Sequence, residues 1–99
     1  MSNILWQKWE KDLLVVGIKK KVVNELGEIV YLDLPKVGQE VKKEDAIALL
    51  ESNKAAYDIY SPKEGMIVEI NKELLSDLTK LNNFPEDEGW LFKIRPAMQ

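Results

Sequence analysis

The sequence contains neither cysteine nor histidine. Without thiols there are no disulfides, thiolate metal sites or cysteine nucleophiles, and without imidazole the histidine acid–base mechanisms and usual zinc ligand sets are excluded. Chemistry beyond that of carboxylates, amines and hydroxyls must therefore be imported. Long hydrophobic runs are also lacking: stretches such as Leu13-Leu14-Val15-Val16 fall far short of the roughly 20 residues that span a bilayer, so no membrane partner is expected. A basic excess is missing too, since 14 Lys and Arg face 17 Asp and Glu for a net charge of −3; this argues against a nucleic-acid surface. Lys19-Lys20-Lys21 is a short basic run, read as a solvated helix start. Gly17, Gly27 and Gly38 are too widely spaced for a phosphate-binding fingerprint. The opening residues Met1 to Leu5 show no secretory pattern, and with Met1 as the native start the expected location is cytoplasmic.

What remains is an ordinary globular composition, 45% hydrophobic and 31% charged, which is too apolar for a disordered chain. The length of 99 residues suits one small domain spanning 1–99. Three segments alternate as half-buried strands do. In Glu28 to Leu34, Val30, Leu32 and Leu34 share one face; in Gly65 to Ile70, Met66, Val68 and Ile70 do; in Trp90 to Arg95, Trp90, Phe92 and Ile94 are expected in the core. Val22, Val23 and Leu26 have helical spacing before Gly27, a suitable helix terminator. A second helix is expected from Asn71 as cap, with Glu73 in its first turn and Leu74, Leu78 and Leu81 on its apolar face.

Ile47 to Leu50 and Tyr57 to Tyr60 read as the arms of a hairpin whose exposed tip carries Lys54. A displayed lysine at a tight turn suits covalent attachment of a swinging arm. Spacing alone is a weak signal and favours a solvated turn lysine, since lysine is mostly exposed anyway. Glu51 and Asp58 bracket Lys54; a hairpin tip lacks the cleft that a carboxylate acid–base pair requires, so they read as solvated or docking carboxylates. Trp6 or Trp9 is a candidate to line the groove used by an arm.

The run Glu51-Ser52-Asn53-Lys54-Ala55-Ala56-Tyr57-Asp58-Ile59-Tyr60-Ser61-Pro62, followed by Gly65, resembles the lipoylation site of the glycine cleavage system H-protein family. Val16-Gly17-Ile18, the stretch from Leu26 to Gly38 and Glu88-Gly89-Trp90-Leu91-Phe92-Lys93-Ile94 resemble the same family. Gly38 lies 16 residues before Lys54 and Gly65 lies 11 after it, as in lipoyl domains generally. The resemblance implies a mainly β, barrel-sandwich hybrid fold of the lipoyl/biotinyl-domain type with two short helices. It implies lipoate in amide linkage to Lys54, with Glu51 and Asp58 as the surroundings of the arm or of its recognition, and neither catalytic residues nor a metal. The arm supplies the sulfur chemistry the chain lacks, while the protein orients and docks it.

The implied partners are a lipoylating enzyme, a pyridoxal-phosphate glycine decarboxylase, an aminomethyltransferase and a dihydrolipoyl dehydrogenase, visited by a monomeric carrier that shuttles an aminomethyl group. Against the family pattern, Leu5 stands where a glutamate is usual, Lys19-Lys20 replaces a Thr-Asp helix start, and Glu25 occupies a position where some members have histidine. The sequence ends at Gln99, where the family usually adds a C-terminal helical segment. These departures support an alternative, a stand-alone H-like lipoyl carrier of another pathway such as sulfur oxidation or lipoyl relay. Biotin is disfavoured, because Asn53 and Ala55 flank Lys54 in place of the methionines of biotinyl domains.

Overall fold

The structure, a computed structural model, describes residues 4–98. Strands β1 (Leu5–Glu10) and β2 (Leu13–Ile18) form an antiparallel hairpin pairing Leu5 with Ile18 and Glu10 with Leu13, turned by Lys11 in the left-handed region at φ 58°. This hairpin has no alternating signature, because Leu14 to Ile18 are all buried. A strand covered on both faces reads only as an apolar run.

Helix α1 (Lys20–Leu26) follows and turns Val23 and Leu26 into the core. It stops as its spacing predicts at Gly27, whose φ of 80° favours glycine, and the Gly27 N–H donates to the Val23 carbonyl. The next strands are β3 (Ile29–Asp33), β4 (Glu40–Val41), β5 (Ala46–Ser52), β6 (Ala56–Tyr60) and β7 (Gly65–Ile70). Helices α2 (Glu73–Ser76) and α3 (Thr79–Asn83) precede β8 (Phe92–Pro96). The strands make two antiparallel sheets, β1-β2-β8-β7-β4 and β3-β5-β6. Val16, Ile18, Phe92, Ile94 and Ile67 from the first sheet meet Leu50 and Ile59 from the second in one core, closed at its end by Leu74 and Leu81.

Several expectations need correction. In β3 the buried residues are Ile29 and Leu32, while Val30 is exposed, because the ladder with β5 is irregular between Ile29 and Tyr31. A similar irregularity between Ile67 and Glu69 puts Ile67 in the core and leaves Met66 exposed. One inserted residue shifts which side chains face inward. Trp90 precedes β8 and is only half-buried; Leu91, Phe92 and Ile94 fill the core, and the Trp90 ring centroid lies 4.9 Å from the Lys93 ammonium. The second helix is broken into α2 and α3 at Asp77 and Leu78. Asn71 is not its side-chain cap: the buried Asn71 amide donates to the carbonyls of Glu88 and Trp90 at 2.9 and 2.8 Å, satisfying polar groups that the core would otherwise leave unpaired.

Candidate functional site

After an irregularity between Ala46 and Ala48, the hairpin of β5 and β6 keeps its register from Ala48 to the last pair, Glu51 opposite Ala56. Four residues then close the turn, with the Ser52 N–H donating to the Ala55 carbonyl at 2.9 Å. The Ser52 side chain is buried, and its hydroxyl oxygen accepts from the N–H of Lys54 at 3.1 Å and of Ala55 at 3.3 Å. This serine-centred turn occupies the two free amide donors at the tip and fixes the backbone from which Lys54 departs. Lys54 itself is exposed. The exposed amine on a clamped backbone is chemically suited to forming an amide with an incoming carboxyl group.

The Lys54 ammonium turns toward α1 and donates, at a long 3.5 Å, to the main-chain carbonyl of Glu25. That carbonyl is in the last turn of α1, where free carbonyl oxygens collect the negative end of the helix dipole. Glu25 therefore meets the lysine through its backbone. Glu51 and Asp58 lie on the other side of the matter: strand alternation puts both on the outer face of the β3-β5-β6 sheet, Glu51 half-buried between Tyr31 and Ala56, and Asp58 exposed opposite Leu49. Among the described residues no ion pair joins either carboxylate to Lys54. Leu5 is half-buried against the core.

The end of α1 also walls an open groove of about 780 Å³, lined by Val23, Asn24, Ile29, Leu78 and Asn82 among others. Asn82 ties its two sides together. Its side-chain oxygen accepts from the Ile29 N–H at 2.8 Å, and its side-chain nitrogen donates to the carbonyls of Ile29 at 3.1 Å and Leu78 at 3.2 Å. Ile29 in turn pairs with Ser52, so α3, β3 and the lysine turn are joined by consecutive bonds. At the groove edge the Thr79 hydroxyl and N–H donate to Asp77, holding its carboxyl below the usual aspartate range.

Neither Trp6 nor Trp9 lines this groove. The Trp6 indole lies over Gly17 and donates to the Pro85 carbonyl at 2.8 Å, whereas Trp9 is exposed. Ser52, whose hydroxyl holds the tip backbone, is a residue of this turn that the alternating sequence pattern alone does not single out. A serine two positions before the tip residue is the signal of a side-chain-closed turn. Asn82 had no comparable signal, since its partner Ile29 is 53 residues away.

Comparison with known proteins gives this geometry a context. A family model described as "Glycine cleavage H-protein" matches residues 1–99. The glycine cleavage system H protein of Thermotoga maritima is 47% identical over 89 residues, covering 90% of this chain and 72% of that protein. That of Alcanivorax borkumensis is 46% identical over 94 residues, covering 95% and 73%. A crystal structure of a glycine cleavage system H protein from Mycobacterium marinum superposes with a TM-score of 0.88 at 29% identity, covering 98% of this chain and 81% of that one. The two facing sheets are thus the barrel-sandwich arrangement that the sequence implied, and the chain belongs to the glycine cleavage H-protein family.

Proposed function

We propose that Lys54 carries a covalent lipoyl group and that the chain serves glycine cleavage as the carrier of that group. The carrier role rests on family membership, and the choice of Lys54 rests on one observation: it is the exposed lysine at the tip of a turn whose backbone Ser52 holds. Attachment joins the Lys54 Nζ to an activated lipoyl carboxyl through an amide, with the activating group leaving, two of the ammonium's three protons passing to solvent and the third staying on the amide nitrogen. When bound, the lipoyl dithiolane supplies redox sulfur to a chain without cysteine. The protein is a single non-catalytic domain over 1–99 that presents the arm, working in the cytoplasm as a monomer.

The partners are the lipoylating enzyme, the pyridoxal-phosphate glycine decarboxylase, the aminomethyltransferase and the dihydrolipoyl dehydrogenase. Among the described residues no helix is long and apolar enough to cross a membrane. Glu51 and Asp58 act as recognition carboxylates on the sheet face below the tip, where charge selects the encounter. Intact-mass measurement after incubation with lipoate, ATP and a lipoate–protein ligase tests the attachment, with Lys54→Arg as control. A second reading, the same arm in another pathway, is favoured by Leu5, which packs on the core and offers no carboxylate. Reconstitution with the decarboxylase and aminomethyltransferase separates the two, since only a glycine cleavage carrier supports glycine decarboxylation at normal rates.

A further inference from the structure

Helix α1 begins without any of the usual aids. Its N-cap is Lys19, with the extended backbone of a capping position (φ −62°, ψ 139°) but no side-chain cap bond, and no acidic residue stands in its first turn. Lys19, Lys20 and Lys21 instead concentrate positive charge at the positive end of the helix dipole, which is unfavourable. The missing acceptor comes from 66 residues away: the Glu86 carboxylate accepts from the Lys20 N–H at 2.8 Å. Its neighbour Pro85 holds β1 by accepting from the Trp6 indole at 2.8 Å. One short segment therefore fastens both β1 and the start of α1, while the far end of α1 touches Lys54 through the Glu25 carbonyl.

We infer that Glu86 is a positioning residue for the arm lysine, acting through α1 as a remote N-cap. This rests on the reading of Lys54 as the attachment site. A helix of 7 residues is too short to hold itself together, so its orientation depends on what grips its ends and its buried face. Losing the grip at Lys20 frees the last turn, and with it the carbonyl that orients the Lys54 amine. The contact survives attachment in principle, because the amide nitrogen keeps one N–H that is able to donate to the same carbonyl. Glu86 would then orient the root of the arm as well as the free lysine.

The test uses the full chain. In Glu86→Ala, hydrogen exchange at the Gly27 N–H, which donates to Val23 at the other end of α1, is expected to speed up about fivefold, a typical capping effect. Single-turnover attachment of lipoate by the ligase is expected to slow by a similar factor, about fivefold, with the thermal midpoint checked in parallel. Adding Lys19→Asp, which places an ordinary capping side chain at the N-cap, should restore both readouts; a general structural defect would not respond to a local cap. Glu86→Asp, one methylene short of the amide, tests the same contact in a milder variant. Unchanged Gly27 exchange and unchanged attachment in both Glu86 variants would overturn the inference, as would failure of Lys19→Asp to rescue. Lipoate found on Lys54→Arg would instead refute the attachment reading, leaving the exchange result to stand by itself.

Discussion

The Ser52 hydroxyl oxygen lies 3.1 Å from the Lys54 amide nitrogen and accepts its hydrogen bond, so the residue displayed at the tip is held by a buried side chain two positions before it. Replacing that hydroxyl leaves two tip amides without their acceptor. Ser52→Ala is expected to lower stability by about 1 to 2 kcal/mol and to slow lipoate attachment, while Ser52→Thr, which keeps the hydroxyl, restores attachment. Urea denaturation and ligase kinetics on the three proteins check this. Equal attachment rates for Ser52→Ala and wild type would show that the turn does not need the clamp.

Trp6 and Gly17 face each other across β1 and β2, with the indole lying where a β-carbon at position 17 would sit. Gly17→Ala therefore forces the ring away and breaks its bond to Pro85, at an expected cost of roughly 1 to 3 kcal/mol. In a Trp6→Ala background the same substitution has no ring to displace. A double-mutant cycle should give a coupling of about 1 kcal/mol or more, the two changes together costing less than their sum. Additive costs would mean that the two positions do not communicate.

Lys93 donates to Glu10 at 2.7 Å and lies 3.3 Å from Glu69, with only 14% of its side chain exposed. The hydrogen bond to Glu10 raises the Lys93 pKa above the ordinary lysine value, and the same bond lowers that of Glu10. A raised lysine contributes stability that is fully present below its unfolded value of about 10.4 and is lost as pH rises through the higher folded value. A lowered glutamate contributes above its unfolded value of about 4.3, and that part is lost as pH falls through the lower folded value. The stability difference between wild type and Lys93→Met should accordingly be flat from about pH 6 to about pH 9 and shrink above about pH 10.4. A difference that grows with alkaline pH would contradict the pairing.

Much of this architecture was legible in the sequence wherever one strand face is wet and the other dry. Phe92 and Ile94 were placed correctly for that reason, and so was the hairpin, whose arms end in a turn with a solvated lysine. The reading failed where pairing slips by one residue: nothing in Ile29-Val30-Tyr31 or Met66-Ile67-Val68 announces the irregularities that put Ile29 and Ile67 inside. It missed β2, which has no wet face at Leu14 to Ile18. The displayed lysine was visible from local spacing and family resemblance, but its supports were only partly so. Ser52 acts within its own turn and was discoverable, whereas Asn82 and Glu86 act on residues more than fifty positions away. Contacts at that range depend on the finished fold, and no local pattern encodes them.

Whether Lys54 bears the arm is decided by intact-mass analysis of the full chain after exposure to lipoate, ATP and a lipoate–protein ligase. The expected result is a gain of one lipoyl group, localised to Lys54 by peptide sequencing and absent from Lys54→Arg. An unshifted mass under conditions that lipoylate a control acceptor protein, or a shift that persists in Lys54→Arg, would contradict that assignment.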